Sequence, residues 1–381
     1  MKYIPLIHPM ILIYSTCLLI LTYGAVIWIA LYYFNKLRPF TASTTPTTSV
    51  SILVAARNEG SCIRQCIESL LEQNYPTALI EIIIIDDQSD DDTSKIINSY
   101  ANKGVRLISI EDNASVYGKK AAITKGVSYA KGKLIITTDA DCTMNKNWLA
   151  TIASFYEATG AVFIAGPVKF EKEKSLLGIF QSLDFLSLQG ITAAGVGGGF
   201  YSMCNGANLA YEKEAFIQVN GFKGVDHIAS GDDMLLMEKI KLAYPGKVHY
   251  CFSQDAIVET ASAKSIQEFI TQRIRWASKA PYYKSNMLKY TLLLVYLVNL
   301  SLLCLLIMRL FSWKYLMAWL ILTLIKTLIE FPFMYRVAHF FSKKKLLIWF
   351  LPIQPVHNTY TVIAGFFGLF STYTWKGRRM K

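Results

Sequence analysis

The chain has 381 residues, a hydrophobic fraction of 53% and a formal net charge of +12. This length allows one catalytic domain of ordinary size plus several membrane spans. The apolar residues concentrate near the N-terminus and in the last quarter, which argues against an ordinary soluble domain. A nucleic-acid partner is not expected, because many of the cations flank apolar runs, where anionic lipid is the obvious partner, and no nucleic-acid motif occurs.

The first apolar run, Met10 to Phe34, carries no charged residue. At ~1.5 Å per residue it can cross a ~30 Å hydrocarbon core. A cleaved signal peptide would have a shorter apolar region, whereas this run ends in Lys36 and Arg38. Residues 1–38 are therefore predicted to form an uncleaved membrane anchor, and residues 39–49 a polar linker.

Residues 50–285 alternate between strand and helix patterns. The predicted strands are Ser51–Ala56, Ile80–Ile85, Val105–Ile110 and Lys133–Thr138, with helices near 61–73, 92–102 and 120–130. Such alternation predicts an α/β fold with a doubly wound, mostly parallel sheet. Ligands of these sheets bind beyond the carboxyl ends of the strands, which is where acidic residues occur in this sequence.

Two strand ends carry paired carboxylates. Asp86 and Asp87 follow one strand and could bind a nucleoside, although turn formation and helix capping are the favoured explanation for this motif taken alone. Asp139 and Asp141 follow the next strand and flank a single residue. Two carboxylates at this spacing suit one hard divalent cation such as Mg²⁺, together with a diphosphate.

Three further segments could take part in the chemistry. Lys119 follows a glycine at a predicted helix start, a position that suits phosphate or simply opens the helix. Asp232 and Asp233 precede an amphipathic stretch; helix capping explains one of them, and the second suggests a general base. The segment Gln272 to Trp276 is either a membrane-edge anchor or a tryptophan platform for a sugar ring.

Residues 286–381 are predicted to form a C-terminal membrane region, with spans near 287–308 and 313–334 and a third apolar run at 346–370. Pro352 and Pro355 interrupt the third run, which suggests a re-entrant hairpin or an interfacial helix. Within the 313–334 span, Lys326 and Glu330 share one helical face. They form either a mutually satisfied pair or part of a route for an acceptor head group.

The charges that flank the spans indicate the orientation of the chain. Lys36 and Arg38 precede the central domain, and Lys284 and Lys289 follow it. The positive-inside rule then predicts a cytosolic catalytic domain in an integral protein of a bacterial-type inner or plasma membrane. The seven cysteines show no paired spacing, as expected of reduced cytosolic thiols.

Taken in order, these motifs resemble the membrane-bound, inverting family-2 glycosyltransferases with the A-type nucleotide-sugar fold, the branch of cellulose, chitin and hyaluronan synthases and ceramide glucosyltransferases. The segment Val54 to Glu59 is similar to the family's VPARNE, with alanine for proline, and Asp86 to Ser89 to its DDGS, with glutamine for glycine. Asp139-Ala140-Asp141 matches the DxD, Gly231 to Asp233 resembles TED or EDD, and Gln272 to Trp276 fits QxxRW. The match covers roughly residues 50 to 280.

The resemblance implies a role for each matching position. The donor-binding residues would be Ala55, Arg57, Glu59, Asp87, Lys119, Asp139, Gln272, Arg275 and Trp276. Asp141, with Asp139, would hold Mg²⁺ or Mn²⁺ on the diphosphate, and Asp233 would be the catalytic base. The implied partners are a nucleotide-diphosphate sugar, with a UDP-sugar favoured, a lipid-linked or glycan acceptor, and the lipid bilayer.

Three functions compete for this sequence. The first is a hexosyltransferase that adds one or a few sugars to a lipid or lipid-linked glycan. The second is a processive polysaccharide synthase, and the third a catalytically silent membrane subunit that only binds nucleotide. Three or four spans are few for a polymer channel, which favours the first function, while the intact Asp141, Asp233 and Trp276 argue against the third.

Overall fold

The computed structural model describes residues 9–42, 45–110, 118–225, 231–370, 373–375 and 378–380. The chain divides into two compact units. The sheet unit contains Leu37–Lys172, Gly195–Ser262 and Thr374–Lys381, and the helical unit contains Met1–Lys36, Glu173–Ala194 and Ala263–Tyr373. This division differs from the sequence-based one, since two segments within residues 50–285 group with the terminal helices.

The strands and helices of the described residues are numbered in chain order. The strands are β1 (Val50–Ala56), β2 (Ile80–Asp86), β3 (Val105–Ser109), β4 (Leu134–Asp139), β5 (Cys142–Met144), β6 (Phe163–Ala165), β7 (Val168–Phe170), β8 (Leu209–Glu212), β9 (Val248–Tyr250), β10 (Val258–Thr260), β11 (Tyr373–Trp375) and β12 (Arg378–Met380). The helices are α1 (Pro9–Lys36), α2 (Ile63–Leu71), α3 (Thr93–Asn98), α4 (Lys119–Tyr129), α5 (Trp148–Thr159), α6 (Leu176–Gly197), α7 (Lys213–Gln218), α8 (Asp232–Ala243), α9 (Ile266–Ala277), α10 (Asn286–Met308), α11 (Trp313–Phe340) and α12 (Gln354–Phe370).

The main sheet has the order β3-β2-β1-β4-β8-β6-β9. Strands β3, β2, β1 and β4 run parallel, whereas β8 is antiparallel to both β4 and β6. The isoleucines of β2 from Ile82 to Ile85 are almost fully buried, because the sheet is covered on both faces. The predicted α/β fold with a doubly wound, mostly parallel sheet is therefore confirmed. A smaller sheet of order β5-β10-β7 lies in the same unit.

Four helices are long and apolar enough to cross a membrane among the residues the structure describes: α1, α6, α10 and α11. Their burial separates them into two kinds. In the most apolar window, 67% of α6 is buried inside the protein, compared with 28% to 33% for the other three. The sequence predicted α1, α10 and α11, which present apolar surface outwards. It did not single out α6, whose apolar run is interrupted by polar residues such as Gln181 and Asp184.

Within the helical unit, α1 packs on α10 and α11, and α12 packs on α9 and α10. The run predicted at 346–370 begins with a short 3-10 segment at Lys344–Trp349 and continues as α12. Pro355 lies in the first turn of α12, where a missing N–H costs nothing. Pro352 and Pro355 thus flank the residue at which α12 begins, Gln354.

The charged pair in α11 is enclosed in a polar network. Lys326 Nζ lies 2.7 Å from Glu330 Oε1 and donates to Gln354 Oε1 at 2.9 Å. Glu330 also accepts from Tyr23 Oη at 2.6 Å and from Gln354 Nε2 at 2.9 Å. Lys326 is 1% exposed and Glu330 7%. These contacts favour a mutually satisfied pair over a head-group route, because the partners of both charges come from α1, α11 and α12.

Candidate functional site in the sheet unit

The two acidic strand ends lie side by side at the carboxyl edge of the sheet. In the register of β1, Ala55 is opposite Asp139 of β4, and Ala56 is opposite Asp86 of β2. Parallel strands bring their carboxyl ends to the same edge, so the acidic residues that follow β2 and β4 are neighbours across β1.

Asp86 and Asp87 have different partners. Asp86 accepts hydrogen bonds from the hydroxyls of Ser94, at 2.6 Å, and Ser89, so its carboxylate stabilises the turn after β2. Asp87 accepts from the backbone N–H of Gly118 at 3.1 and 3.2 Å. The turn explanation therefore accounts for Asp86, whereas Asp87 connects the end of β2 to the start of α4.

Arg57 supports this turn through the backbone. Its Nη1 donates to the carbonyl oxygens of Asp87 at 2.6 Å and of Gln88 at 2.8 Å. Gln88 has a φ of 61°, in the left-handed region that favours glycine, so the turn keeps its shape although glutamine replaces glycine. Ala55 is half-buried at the end of β1. Glu59 lies beside Cys62, whose thiol donates to Glu59 Oε2 at 3.3 Å.

Asp139, Asp141 and Cys142 could hold a metal, since one ligand atom of each lies within 4.8 Å of the others. The thiol is a poor ligand here: burial, then the charge of Asp141, raises the pKa of Cys142 well above its usual value, and only a thiolate coordinates metal strongly. The two carboxylates remain as possible metal ligands. Thr260 Oγ1 donates a hydrogen bond to Asp141 Oδ2 at 3.3 Å. Oxygen donors fit Mg²⁺ or Mn²⁺ rather than a soft metal.

Lys119, the first residue of α4, carries a positive charge into this acidic cluster. Its Nζ lies 2.5 Å from Asp139 Oδ1 and 3.5 Å from Asp232 Oδ2. Burial alone would lower the pKa of Lys119, but the charges of Asp139 and Asp232 outweigh burial and raise it. The ammonium is therefore a permanent cation at the helix N-terminus, where the helix dipole also favours anions such as phosphate.

Asp233 lies in the first turn of α8, where the helix dipole favours a negative charge. Its Oδ1 accepts from the backbone N–H of Met234 at 2.8 Å, and its Oδ2 from that of Gly206 at 3.1 Å. A methyl group on Gly206 would lie 2.7 Å from Lys119 Nζ, 3.4 Å from Asp232 Oδ2 and 3.6 Å from Asp233 Cβ. These three side chains therefore surround one point.

The Gly206 loop is a part of the site that the sequence analysis missed. Two residues on, Asn208 is fully buried and donates through Nδ2 to the carbonyls of Pro167 and Ala256, both at 2.8 Å. Its Oδ1 accepts from the indole N–H of Trp148 at 3.1 Å. These bonds fix the loop that presents the Gly206 amide. The only sequence signal is a glycine between two asparagines, which is typical of any turn.

The remaining predicted residues, Gln272, Arg275 and Trp276, lie half-buried on α9 in the helical unit. The sequence analysis did not assign a role to their neighbour Arg273, which is 4% exposed. The structure thus places the predicted residues from Ala55 to Asp233 in the sheet unit and the QxxRW residues in the helical unit. Within the sheet unit it brings Lys119, Asp139 and Asp233 together around Asp232.

The sequence profile of Glycosyl transferase family 2 matches residues 51–219. The chain is 26% identical over 250 residues to "Probable glycosyltransferase YdaM" of Bacillus subtilis (strain 168), covering 61% of this chain and 55% of that protein. It is also 26% identical over 255 residues to the "Poly-beta-1,6-N-acetyl-D-glucosamine synthase" of Staphylococcus epidermidis, covering 65% and 59%. The matched region thus spans somewhat more than half the length of these relatives.

Among solved structures, the mannosyltransferase PcManGT from Pyrobaculum calidifontis, in complex with GDP-Man and Mn²⁺, superposes with a TM-score of 0.59 at 16% identity. The likeness covers 94% of this chain and 98% of that one, and at this identity it shows a shared fold. Together, the family profile and the named relatives support a glycosyltransferase, built on the fold that the sequence predicted.

Proposed function

We propose that this glycosyltransferase is a metal-dependent, inverting enzyme that moves a sugar from a nucleotide diphosphate sugar to a membrane-associated acceptor, a lipid or a lipid-linked glycan. The observation that carries the proposal is the cluster at the carboxyl edge of the sheet. There Lys119 lies between Asp139 and Asp232, and the Gly206 amide holds Asp233 beside them.

The donor would bind along the ends of β1 and β2. Asp87 would accept hydrogen bonds from the base or ribose, with Arg57 fixing its backbone. The Lys119 ammonium at the start of α4 would face the diphosphate. The fold relative in complex with GDP-Man supports a nucleotide sugar as donor class, and the sequence motifs favour a UDP-sugar.

The divalent cation, Mg²⁺ or Mn²⁺, would be held by Asp141 together with Asp139. When bound, such an ion neutralises the charge that develops on the diphosphate as the sugar leaves. Lys119 already neutralises part of the Asp139 charge, so Asp141 would supply the larger share of the attraction for the ion.

Asp233 would act as the general base. Its carboxylate takes the proton of the acceptor hydroxyl while that oxygen forms a bond to the anomeric carbon. The bond from the anomeric carbon to the diphosphate oxygen breaks, and its electron pair leaves with the nucleotide diphosphate. A single displacement of this kind inverts the anomeric centre. The backbone amides of Gly206 and Met234 orient the carboxylate for this step.

The acceptor assignment rests on α1, α10 and α11, whose outward apolar surfaces suit lipid and keep the enzyme at the membrane, with the sheet unit expected on the cytosolic side. A processive polysaccharide synthase is the second candidate, favoured by the similarity to the staphylococcal synthase. The structure describes three long outward-facing helices, which is few for a polymer channel and therefore still favours a lipid or lipid-linked acceptor. The composition of the acidic cluster argues against a silent subunit.

Membranes that contain the wild-type protein should transfer label from one of a panel of nucleotide sugars, and chelation of divalent cations should stop the transfer. Lipid extraction then separates labelled lipid from labelled polymer. Asp141→Ala should lose transfer and make nucleotide affinity insensitive to Mg²⁺ and Mn²⁺. Asp92→Ala, at an exposed aspartate in an ordinary surface ion pair, is the matched control. Full transfer in excess chelator would contradict the metal assignment, and labelled polymer would favour the synthase.

A further inference from the structure

Arg273 is the buried residue of the Gln272–Trp276 segment, and it contacts two side chains that the family resemblance implies in donor binding. Its Nη1 donates to Gln272 Oε1 at 2.6 Å. Its guanidinium carbon lies 4.2 Å from the centroid of the Trp276 ring and 4.6 Å from that of the Phe269 ring. One guanidinium thus orients both Gln272 and Trp276 through a charge-assisted hydrogen bond and a cation–π contact.

Arg273 is in turn held by an aspartate from another helix. Asp184, on α6, accepts from Arg273 Nε at 2.9 Å and lies 2.7 Å from its Nη2. Both side chains are almost fully buried, with 4% and 2% of the Arg273 and Asp184 side chains exposed. Nε makes the hydrogen bond, and Nη2 approaches the same carboxylate oxygen without hydrogen-bond geometry, so one edge of the planar guanidinium faces Asp184 in a way that a lysine ammonium would not reproduce.

The carboxylate of Asp184 is itself fixed from a third helix. Its Oδ1 accepts from the hydroxyl of Tyr360 on α12 and lies 3.8 Å from His357 Nε2. The neighbouring residue Phe185 lies 6.0 Å from Trp276, centroid to centroid. Helices α6, α9 and α12 therefore meet at one buried ion pair, and the Arg273 side chain of this pair contacts Gln272 and Trp276.

Burying an ion pair is a costly way to stabilise a helix packing, because apolar residues of similar volume usually do as well or better. Burial alone does not distinguish this pair from Lys326 and Glu330, but Arg273 also contacts Gln272 and Trp276, which the family resemblance implies in donor binding. We propose that Asp184 and Arg273 are positioning residues, which hold Gln272 and Trp276 in the orientation needed for transfer. This inference rests on the proposed function and on the role in donor binding that the family resemblance implies for Gln272 and Trp276.

The test replaces the whole pair by neutral residues. In Asp184→Asn/Arg273→Met, the asparagine can still accept from Tyr360, and the methionine can pack against Phe269 and Trp276. We expect the thermal transition in detergent to stay close to wild type, while the transfer rate falls by about tenfold or more, the scale of losing a charge-assisted hydrogen bond. The matched control, Lys326→Met/Glu330→Gln, removes the other buried pair of the helical unit and should leave the transfer rate unchanged.

A second background separates positioning from general damage. In Gln272→Ala/Trp276→Ala protein, the pair replacement should cause no further loss of transfer, because the side chains it positions are already gone. An equal fold-loss in both backgrounds would overturn the proposal, as would transfer within twofold of wild type for the pair replacement alone. If the pair replacement does not fold, Arg273→Lys takes its place. It keeps the positive charge but removes the planar guanidinium. Wild-type transfer in this variant would also overturn the proposal.

A measurement that does not depend on catalysis distinguishes a failure of this inference from a failure of the proposed function. Protein labelled with 5-fluorotryptophan gives a ¹⁹F resonance for Trp276, assigned by its disappearance in Trp276→Phe. We expect this resonance to shift or broaden in Asp184→Asn/Arg273→Met and to stay unchanged in Lys326→Met/Glu330→Gln. An unchanged Trp276 resonance in the first variant would overturn the positioning role. Wild-type protein that transfers no sugar would overturn the proposed function, whatever the resonance shows.

Discussion

The sheet unit and the helical unit each gather charged side chains, but they use them differently. In the sheet unit, one lysine faces several carboxylates, and the Asp139 side chain remains 38% exposed. In the helical unit, Lys326 and Glu330 are matched one to one, buried, and supplied with neutral hydrogen-bond partners. An excess of partly exposed negative charge suits a divalent cation, which can in turn bind a diphosphate, whereas a closed, neutral pair suits the packing of helices.

The largest effect that would test this comparison is expected from Asp233→Asn. The amide keeps the shape of the carboxylate but cannot take a proton, so the transfer rate should fall ~10²–10⁴-fold. Nucleotide affinity should stay nearly normal, because Asp233 acts on the acceptor. Turnover assays and nucleotide titration measure the two quantities, with Asp92→Asn on the surface as the matched control. Normal turnover in Asp233→Asn would remove the base assignment.

Lys326→Met should act on stability and not on the chemistry. It leaves Glu330 buried without its cation, which should lower the free energy of unfolding by ~3–5 kcal/mol, towards the low end because Tyr23 and Gln354 still donate to the carboxylate. Unfolding in detergent measures this loss. Lys314→Met, at the exposed start of the same helix, is the control.

The exchange of the two charges, Lys326→Glu with Glu330→Lys, sharpens the same comparison. A structural pair should tolerate the exchange, since the opposite charges still meet, and both expression and transfer should be retained. If the exchanged protein folds but loses transfer, the pair contacts an acceptor head group, and the contrast between the two units fails.

A smaller effect is expected from Gly206→Ala. The added methyl group would lie 2.7 Å from Lys119 Nζ, so the ammonium, at the end of a flexible side chain, must shift from its position. Displacing the cation that faces the diphosphate should reduce nucleotide affinity by about tenfold. Gly178→Ala is the control, because its methyl group meets only ordinary contacts at 3.5 Å or more. Equal nucleotide affinities in the two variants would show that Lys119 does not depend on the space at Gly206.

The smallest effect is expected from Cys142→Ala. Burial keeps this thiol neutral, so it should contribute little to a metal held by the two carboxylates. The ratio of activities with Mg²⁺ and Mn²⁺ should therefore change by less than about twofold, since both are ions of oxygen sites. A gain or loss of preference beyond that range would identify the thiol as a ligand.

The sequence alone determined the fold class and the position of the candidate site. The β-branched run before Asp86 and the alternation around it predicted a buried parallel strand, and parallel strands bring Asp86 and Asp139 to one edge. The long apolar runs likewise determined α1, α10 and α11, because in these segments length and hydropathy leave few other structures.

Only the tertiary structure decided which of these residues meet. The Gly206 amide reaches Asp233 from 27 positions away, and Asp184 reaches Arg273 from 89 positions away. No local periodicity encodes such contacts, because they depend on how distant elements pack and not on the pattern within any one of them. For the same reason the burial of α6, which polar residues interrupt in sequence, was not predicted. Its Asp184 finds its partners on α9 and α12, far away along the chain.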